Sequence, residues 1–149
     1  MIICDLTHAY TGTSGGIRTY LDAKRRYILE ETDHTHALVI PGEADGVERG
    51  ERRVTYRVKS PGIPRSAPYR AFTRPSVLIG VLGDIAPQVI ELHTYYMPVE
   101  AWSAYRYRER RAGAATLISI FYHTDFAAAY AGHYTRAALG YYPGAWRRT

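Results

Sequence analysis

The residues able to do chemistry gather where strand-like runs end. Gly12-Thr13-Ser14-Gly15-Gly16 follows the apolar run Met1–Leu6 and opens directly into a helical pattern. Backbone N–H groups at such a helix start, reinforced by the helix dipole, suit an anionic oxygen or a phosphate. Glycine there lets a ligand approach the backbone closely. The spacing is neither GxGxxG nor the P-loop GxxxxGK[ST], and a plain tight turn would use the same residues. Two further runs end in histidine: Gln88–His93, continuing into Thr94-Tyr95-Tyr96, and Ala115–His123, continuing into Thr124-Asp125-Phe126. Thr124 or Asp125 would serve equally as the cap of a following helix.

Several other chemistries find no support in the residues. His34 and His36 straddle one residue as metal ligands sometimes do. No third ligand lies near them in sequence, and Asp33–Thr35 reads as a helix-to-strand turn, so no metal site is assigned. A GxSxG nucleophile elbow is absent. The single cysteine, Cys4, excludes a disulfide framework and any Cys-based zinc site. Tyr105-Arg106-Tyr107-Arg108 interleaves aromatic and basic residues as some nucleic-acid binders do. On a helix, however, alternate positions face different directions, so no nucleic-acid partner is assigned.

The elements that must hold these residues follow from periodicity. Met1–Leu6 reads as a first strand and Thr7–Gly16 as a loop. Ile17, Tyr20, Leu21, Tyr27 and Ile28 recur at helical spacing, with Arg18, Lys24, Arg25 and Glu30 on other faces. That pattern predicts an amphipathic helix from about Gly16 to Glu31. His36–Ile40 is a second strand, stopped by Pro41-Gly42, and Gly42–Arg52 an exposed loop. Arg53–Val58 is a third strand. Ser60–Pro68 carries three prolines, too many for regular structure. Pro75 starts a helix through Val81 or Gly83, Gln88–His93 is a fourth strand, and Pro98–Arg111 a helix. Ala115–His123 is a fifth strand and Phe126–Leu139 a last helix. Apolar strands alternating with helices predict an α/β fold: a doubly wound, mostly parallel, Rossmann-like sheet with helices on both faces and the first strand central. Ligands of such sheets bind outside the carboxyl ends of the strands, where the Gly loop, His93 and His123 would share one rim.

The 149 residues suit one domain. A composition 46% hydrophobic and 22% charged is that of a globular chain. Lys+Arg 19 against Asp+Glu 14 gives a net charge of +5, carried almost wholly by arginine. Such a charge suits phosphates or an anionic membrane surface, or is simply a solvated face. The longest apolar stretches, Ser76–Leu82 and Leu117–Tyr122, are too short to span a bilayer. With Asp5 two residues after Ile3 no secretory signal is expected, so the expected location is cytoplasmic, with the inner membrane face as a peripheral site.

Thr13-Ser14-Gly15-Gly16-Ile17-Arg18-Thr19-Tyr20, then Lys24-Arg25-Arg26-Tyr27 and Val39-Ile40-Pro41-Gly42, resemble the start of a GT-B retaining glycosyltransferase of the family 4 type. The likeness continues through Ile90-Glu91-Leu92-His93 and Phe121-Tyr122-His123-Thr124-Asp125-Phe126. That family includes many mannosyl- and glucosyltransferases. The resemblance implies a nucleotide-sugar donor, a glycan or lipid-linked acceptor, and no metal or other cofactor. It places Gly15 and Gly16 near the donor diphosphate and sugar, with Arg18 as an added charge. His123, the catalytic residue it implies, orients the sugar, and His93, Tyr95 and Asp125 contact the acceptor. Glu43 and Glu51 stand eight apart, like a glutamate pair some glycosyltransferases use, but fall in an early charged loop and read as coincidence. The resemblance implies that residues 1–149 are the amino-terminal, acceptor-side domain, incomplete, with the donor-binding carboxyl-terminal domain absent, as in a fragment or a truncated gene product. The expectation is therefore a hexosyltransferase in the full-length protein and no transfer by the 149 residues alone. The alternative from the residues themselves is a non-catalytic α/β module binding a phospho-ligand or a partner.

Overall fold

A computed structural model of the chain describes residues 1–12, 15–94, 97–111 and 115–121. Its elements run β1 (Ile2–Leu6), α1 (Gly15–Glu31), β2 (Thr35–Gly42), β3 (Gly46–Gly50), β4 (Arg53–Lys59), α2 (Pro75–Ile85), β5 (Val89–Leu92), α3 (Pro98–Arg110) and β6 (Leu117–Ile120). The predicted helix over Phe126–Leu139 lies outside the described residues. One six-stranded sheet takes the order β3-β4-β2-β1-β5-β6. All neighbours are parallel except the β3–β4 hairpin. The fold is thus α/β with a mostly parallel, Rossmann-like sheet and β1 inside it. The strand order reverses between β1 and β5, since β2 lies on one side of β1 and β5 on the other.

Side chains alternate along each strand, so every strand sends one set to each face. Cys4, Leu6, Ala37, Val39, Val54, Tyr56, Val58, Ile90 and Leu92 pack with Leu78, Leu82 and Ile85 of α2 and Ala104 and Tyr107 of α3. The opposite set meets α1, where Leu21, Leu38 and Ile40 form a smaller apolar cluster with Ile17 and Tyr20. Helices therefore cover both faces, as the alternation of elements predicts. Among the described residues no helix is long and apolar enough to cross a membrane.

Four expectations are corrected. Pro41-Gly42 does not stop the second strand; both residues pair with Val58 and Lys59 of β4. The last link to β1 is the Thr7 amide donating to the Val39 carbonyl. Alternate residues point the same way, so Pro41 turns its missing N–H to an edge with no partner and costs no ladder bond. Gly42–Arg52 is not all loop, because Gly46–Gly50 forms the edge strand β3. Its turn, Glu51-Arg52, lacks the usual Asn-Gly or Asp-Gly signal, and Arg52 takes φ 50. The Arg52 guanidinium donates to the Leu29 and Thr32 carbonyls at the end of α1, which fixes that conformation and neutralises the negative pole of the helix. Helix α2 runs past Gly83 to Ile85 and stops where Ala86, in a left-handed conformation at φ 52, precedes Pro87. Finally, Tyr27 is exposed while Lys24 turns inward. Lys24 stands seven residues after Ile17, three after Leu21 and four before Ile28. It occupies the inward stripe of α1 itself, and its charge is met by the sheet.

Candidate functional site

What meets Lys24 is a pair of acids inside strands. Asp5 in β1 and Glu91 in β5 are register partners, so their side chains stand abreast on the α1 face. Lys24 Nζ lies 2.6 Å from Asp5 Oδ1 and 3.0 Å from Glu91 Oε1. Asp5 is wholly buried. His36 Nε2 lies 2.5 Å from its Oδ2, and His93 Nε2 2.9 Å from its Oδ1. Tyr20 donates to Glu91 at 3.2 Å, and its ring leans on Phe121 and His93 with centroids 4.4 and 5.8 Å away.

The proton positions follow from the partners. Arg25 Nε donates to His36 Nδ1 at 2.9 Å, and Arg25 Nη2 donates to Thr55 Oγ1. A guanidinium has no acceptor to offer, so His36 Nδ1 carries the lone pair and its Nε2–H donates to Asp5. Burial lowers the His36 pKa; Asp5 opposes this, while Arg25 and Lys24 add to it, and the ring is neutral. Burial by itself would raise the Asp5 carboxyl. Hydrogen bonds from His36 and His93 and the Lys24 charge outweigh that and hold it below the usual carboxylate range. Against the Asp5 carboxylate, His93 carries a proton on Nε2. Burial, followed by the Glu91 charge, pushes the Tyr20 hydroxyl up to about 12, so it serves as a donor.

Asp5, Glu91 and His93 each offer one ligand atom within 4.8 Å of the others, a spacing a metal ion could use. The Lys24 ammonium already stands between the two carboxylates and balances them.

A second polar group lines the carboxyl ends of β1 and β5. Thr7, His8, Thr94 and Glu100 are all buried there. His8 Nδ1 lies 3.6 Å from Glu100 Oε1, and Glu100 sits in the first turn of α3, where the helix dipole favours a carboxylate. Among the described residues Thr94 Oγ1 and Glu100 Oε1 have no hydrogen-bond partner, and such buried atoms are where a water or a ligand group binds.

The expected site residues fall into three sets. Gly15 and Gly16 open α1 at the point where the strand order reverses, and among the described residues a Cβ on either would meet no atom within 4 Å. Gly16 and Tyr20 are one turn apart, so the helix start shares a face with the ring that touches His93. Arg18 turns along the helix instead, 3.6 Å from Asp22 and over the Tyr10 ring. His93 is buried against Asp5. Tyr95, His123 and Asp125 lie outside the described residues. Glu43 and Glu51 lie at opposite ends of β3 and form no pair.

Sequence reasoning missed Asp5, Glu91, Lys24, Arg25 and His36 as one unit. The signal was a lone acid inside each of two apolar runs, which demands buried partners. His36, weighed with His34 as a metal pair and placed at the head of the second strand, is that partner. No family model, curated protein or solved structure matches this chain.

Proposed function

We propose that this chain is the acceptor-side half of a retaining, nucleotide-sugar-dependent glycosyltransferase with a GT-B architecture. The observation that carries the reading is the Gly15–Gly16 start of α1 at the β1–β5 switch point, with open space where side chains would stand. There the first-turn amides and the helix dipole receive a diphosphate oxygen. As charge develops on the leaving diphosphate, fixed donors stabilise it without reorganisation. The Thr94 and Glu100 oxygens, without a hydrogen-bond partner among the described residues, offer hydrogen bonds to acceptor hydroxyls from the same rim, beside the His93 ring that Asp5 orients. In this reading His123, supported by the resemblance alone, orients the sugar; the donor's nucleotide is held by a second domain, and no metal takes part.

Amide-resolved NMR titration of the chain with UDP- and GDP-sugars tests it. The expected result is saturable shifts at Gly15, Gly16 and Ile17, together with the His93 ring. Inorganic pyrophosphate, the part of the donor assigned to this half, should produce the same shifts; shifts confined to other residues, or none with pyrophosphate, overturn the reading.

A further inference from the structure

A cleft of about 520 Å³ opens beyond the carboxyl ends of β2 and β4, lined by Glu43, Lys59, Ser60, Pro61, Arg70, Thr73 and Arg74. We propose that it is a phosphate-ester site, and that the acceptor of the proposed reaction carries that phosphate. The second half of this statement rests on the glycosyltransferase reading; the first does not.

The cleft's charges are unequal and its cations are held in place. Arg70 donates from Nη1 to the Ser60 carbonyl at 2.9 Å and from Nη2 to Glu43 at 2.5 Å. Arg74 donates from Nη2 to the Lys59 carbonyl at 3.1 Å and lies 3.9 Å from Asp45. Each guanidinium has five N–H donors, so both keep donors to spare while the backbone pins their planes. Asp45 is itself engaged by the Lys59 backbone amide at 2.7 Å. Two carboxylates thus face two arginines. Among the described residues the Lys59 ammonium has no ion-pair partner, which leaves the cleft with an uncompensated positive charge.

The helix beside the cleft adds to this. Arg74 is the N-cap of α2 and Pro75 its first residue, yet no side chain caps it. Pro75 has no N–H, and the Val77 and Leu78 amides donate to the Arg74 carbonyl at 3.1 and 3.3 Å, so among the described residues the Ser76 amide is the first-turn donor left without an acceptor, beside the cleft and at the positive pole of the helix. Two pinned guanidiniums, a free ammonium and an uncapped helix start suit a tetrahedral dianion better than a single carboxylate. A space of this size also admits a small polyol or sugar attached to the phosphate. The cleft lies on the carboxyl-end rim of the sheet, as does the switch point, so a phosphate held here leaves the rest of its molecule free to reach along that rim.

Glycerol 3-phosphate, with glycerol as its control, and vesicles of phosphatidic acid against phosphatidylcholine are the probes. Binding is read by NMR at the Ser60, Thr73 and Ser76 amides and by vesicle sedimentation. Saturable glycerol 3-phosphate shifts at these amides, weakened about tenfold or more by Lys59→Ala and by Arg74→Ala, assign a soluble phosphate ester. Binding of phosphatidic acid vesicles alone, weakened by the same variants, assigns a lipid-borne phosphate. No saturable response to either probe, or a response that Lys59→Ala leaves unchanged, overturns the site. Because these amides are separate from Gly15, Gly16 and His93, failure here and failure of the glycosyltransferase reading are told apart.

Discussion

The two faces of the sheet are built on opposite principles. The face toward α2 and α3 is largely dry: its buried cluster runs from Cys4 to Tyr107, and of the buried polar residues of α3 Ser103 keeps its hydroxyl on the Val99 carbonyl while Glu100 stands in the first turn. Among the described residues the face toward α1 has Leu21, Leu38 and Ile40 as its buried apolar cluster, with Ile28 of α1 also buried, and adds Asp5, His36, Glu91, His93, Thr55, Lys24 and Arg25. Both faces come from the same strands by simple alternation, so β1 sends Cys4 and Leu6 one way and Asp5 the other. Apolar packing tolerates small shifts of shape and is non-directional. A hydrogen-bonded ion network fixes distances and proton positions, and it does so on the face whose helix begins at the candidate ligand site. The dry face supplies stability; the ionic face holds His93 and the start of α1 in register.

The largest expected effect comes from breaking the ionic face at its centre. Asp5→Ala strands Lys24 and removes the acceptor of two imidazole N–H groups at once. Losing one partner of a buried charge network costs about 3–5 kcal/mol. Urea denaturation followed by circular dichroism should show that loss, and a change below about 1 kcal/mol would mean that Lys24 and Glu91 suffice alone. On the dry face, Leu82→Ala leaves a cavity under α2 and should cost about 3 kcal/mol in the same measurement, with no change in pH dependence.

A smaller effect separates the faces by pH. His36 has a folded-state pKa below its unfolded value, so the unfolded chain binds the proton more readily. Stability is then full above the unfolded histidine pKa of about 6.5 and declines as pH falls below it, by up to about 1.4 kcal/mol per pH unit for this one group. Asp5 has a depressed pKa, so its share is present above about pH 4 and is lost only in stronger acid. His36→Gln keeps a donor for Asp5 and an acceptor for Arg25 but cannot titrate. Its unfolding free energy should be flatter between about pH 6.5 and 4.5 than that of the parent. Equal slopes would move the proton uptake to another residue.

The same contrast explains what was legible in the sequence. The dry face was readable because apolar runs such as Ala37–Ile40 and Val77–Leu82 announce burial directly. The strand order around β1 followed from the alternation of strands and helices. The ionic face was not readable residue by residue. Lys24 falls on the inward stripe of α1 but carries a charge, so periodicity placed it outside. His36 sat beside His34 and drew attention as a metal pair, not as a partner for an acid thirty-one positions earlier. The β3 strand was hidden because it is nearly all exposed, with glycine at both ends and Glu48-Arg49 inside it, and an edge strand paired on one side needs no apolar pattern. Of the candidate ligand site, the Gly15–Gly16 start and His93 were legible as strand-end features. The basic cleft was not, since Lys59, Arg70 and Arg74 meet only after a proline-rich loop folds back.

The smallest expected change in stability is also the most informative about ligand binding. Gly16 lies in the first turn of α1 and has no left-handed φ, and a Cβ built on it meets nothing within 4 Å. Neither packing nor backbone geometry in the free protein requires glycine here. Alanine is the better helix former, so Gly16→Ala should leave the melting temperature unchanged or raise it, by the equivalent of about 0.5–1 kcal/mol at most. If open space above the helix start is what the glycine provides, the same methyl should intrude on a diphosphate drawn to the first-turn amides. Nucleotide-sugar shifts at Gly15 and Ile17 should then fall about tenfold or more in affinity while the fold stays intact. Gly46→Ala is the control, since a Cβ there also meets open space but the residue lies on the edge strand far along the chain. A Gly16→Ala protein that melts normally and still titrates like the parent would show that the helix start is only a turn.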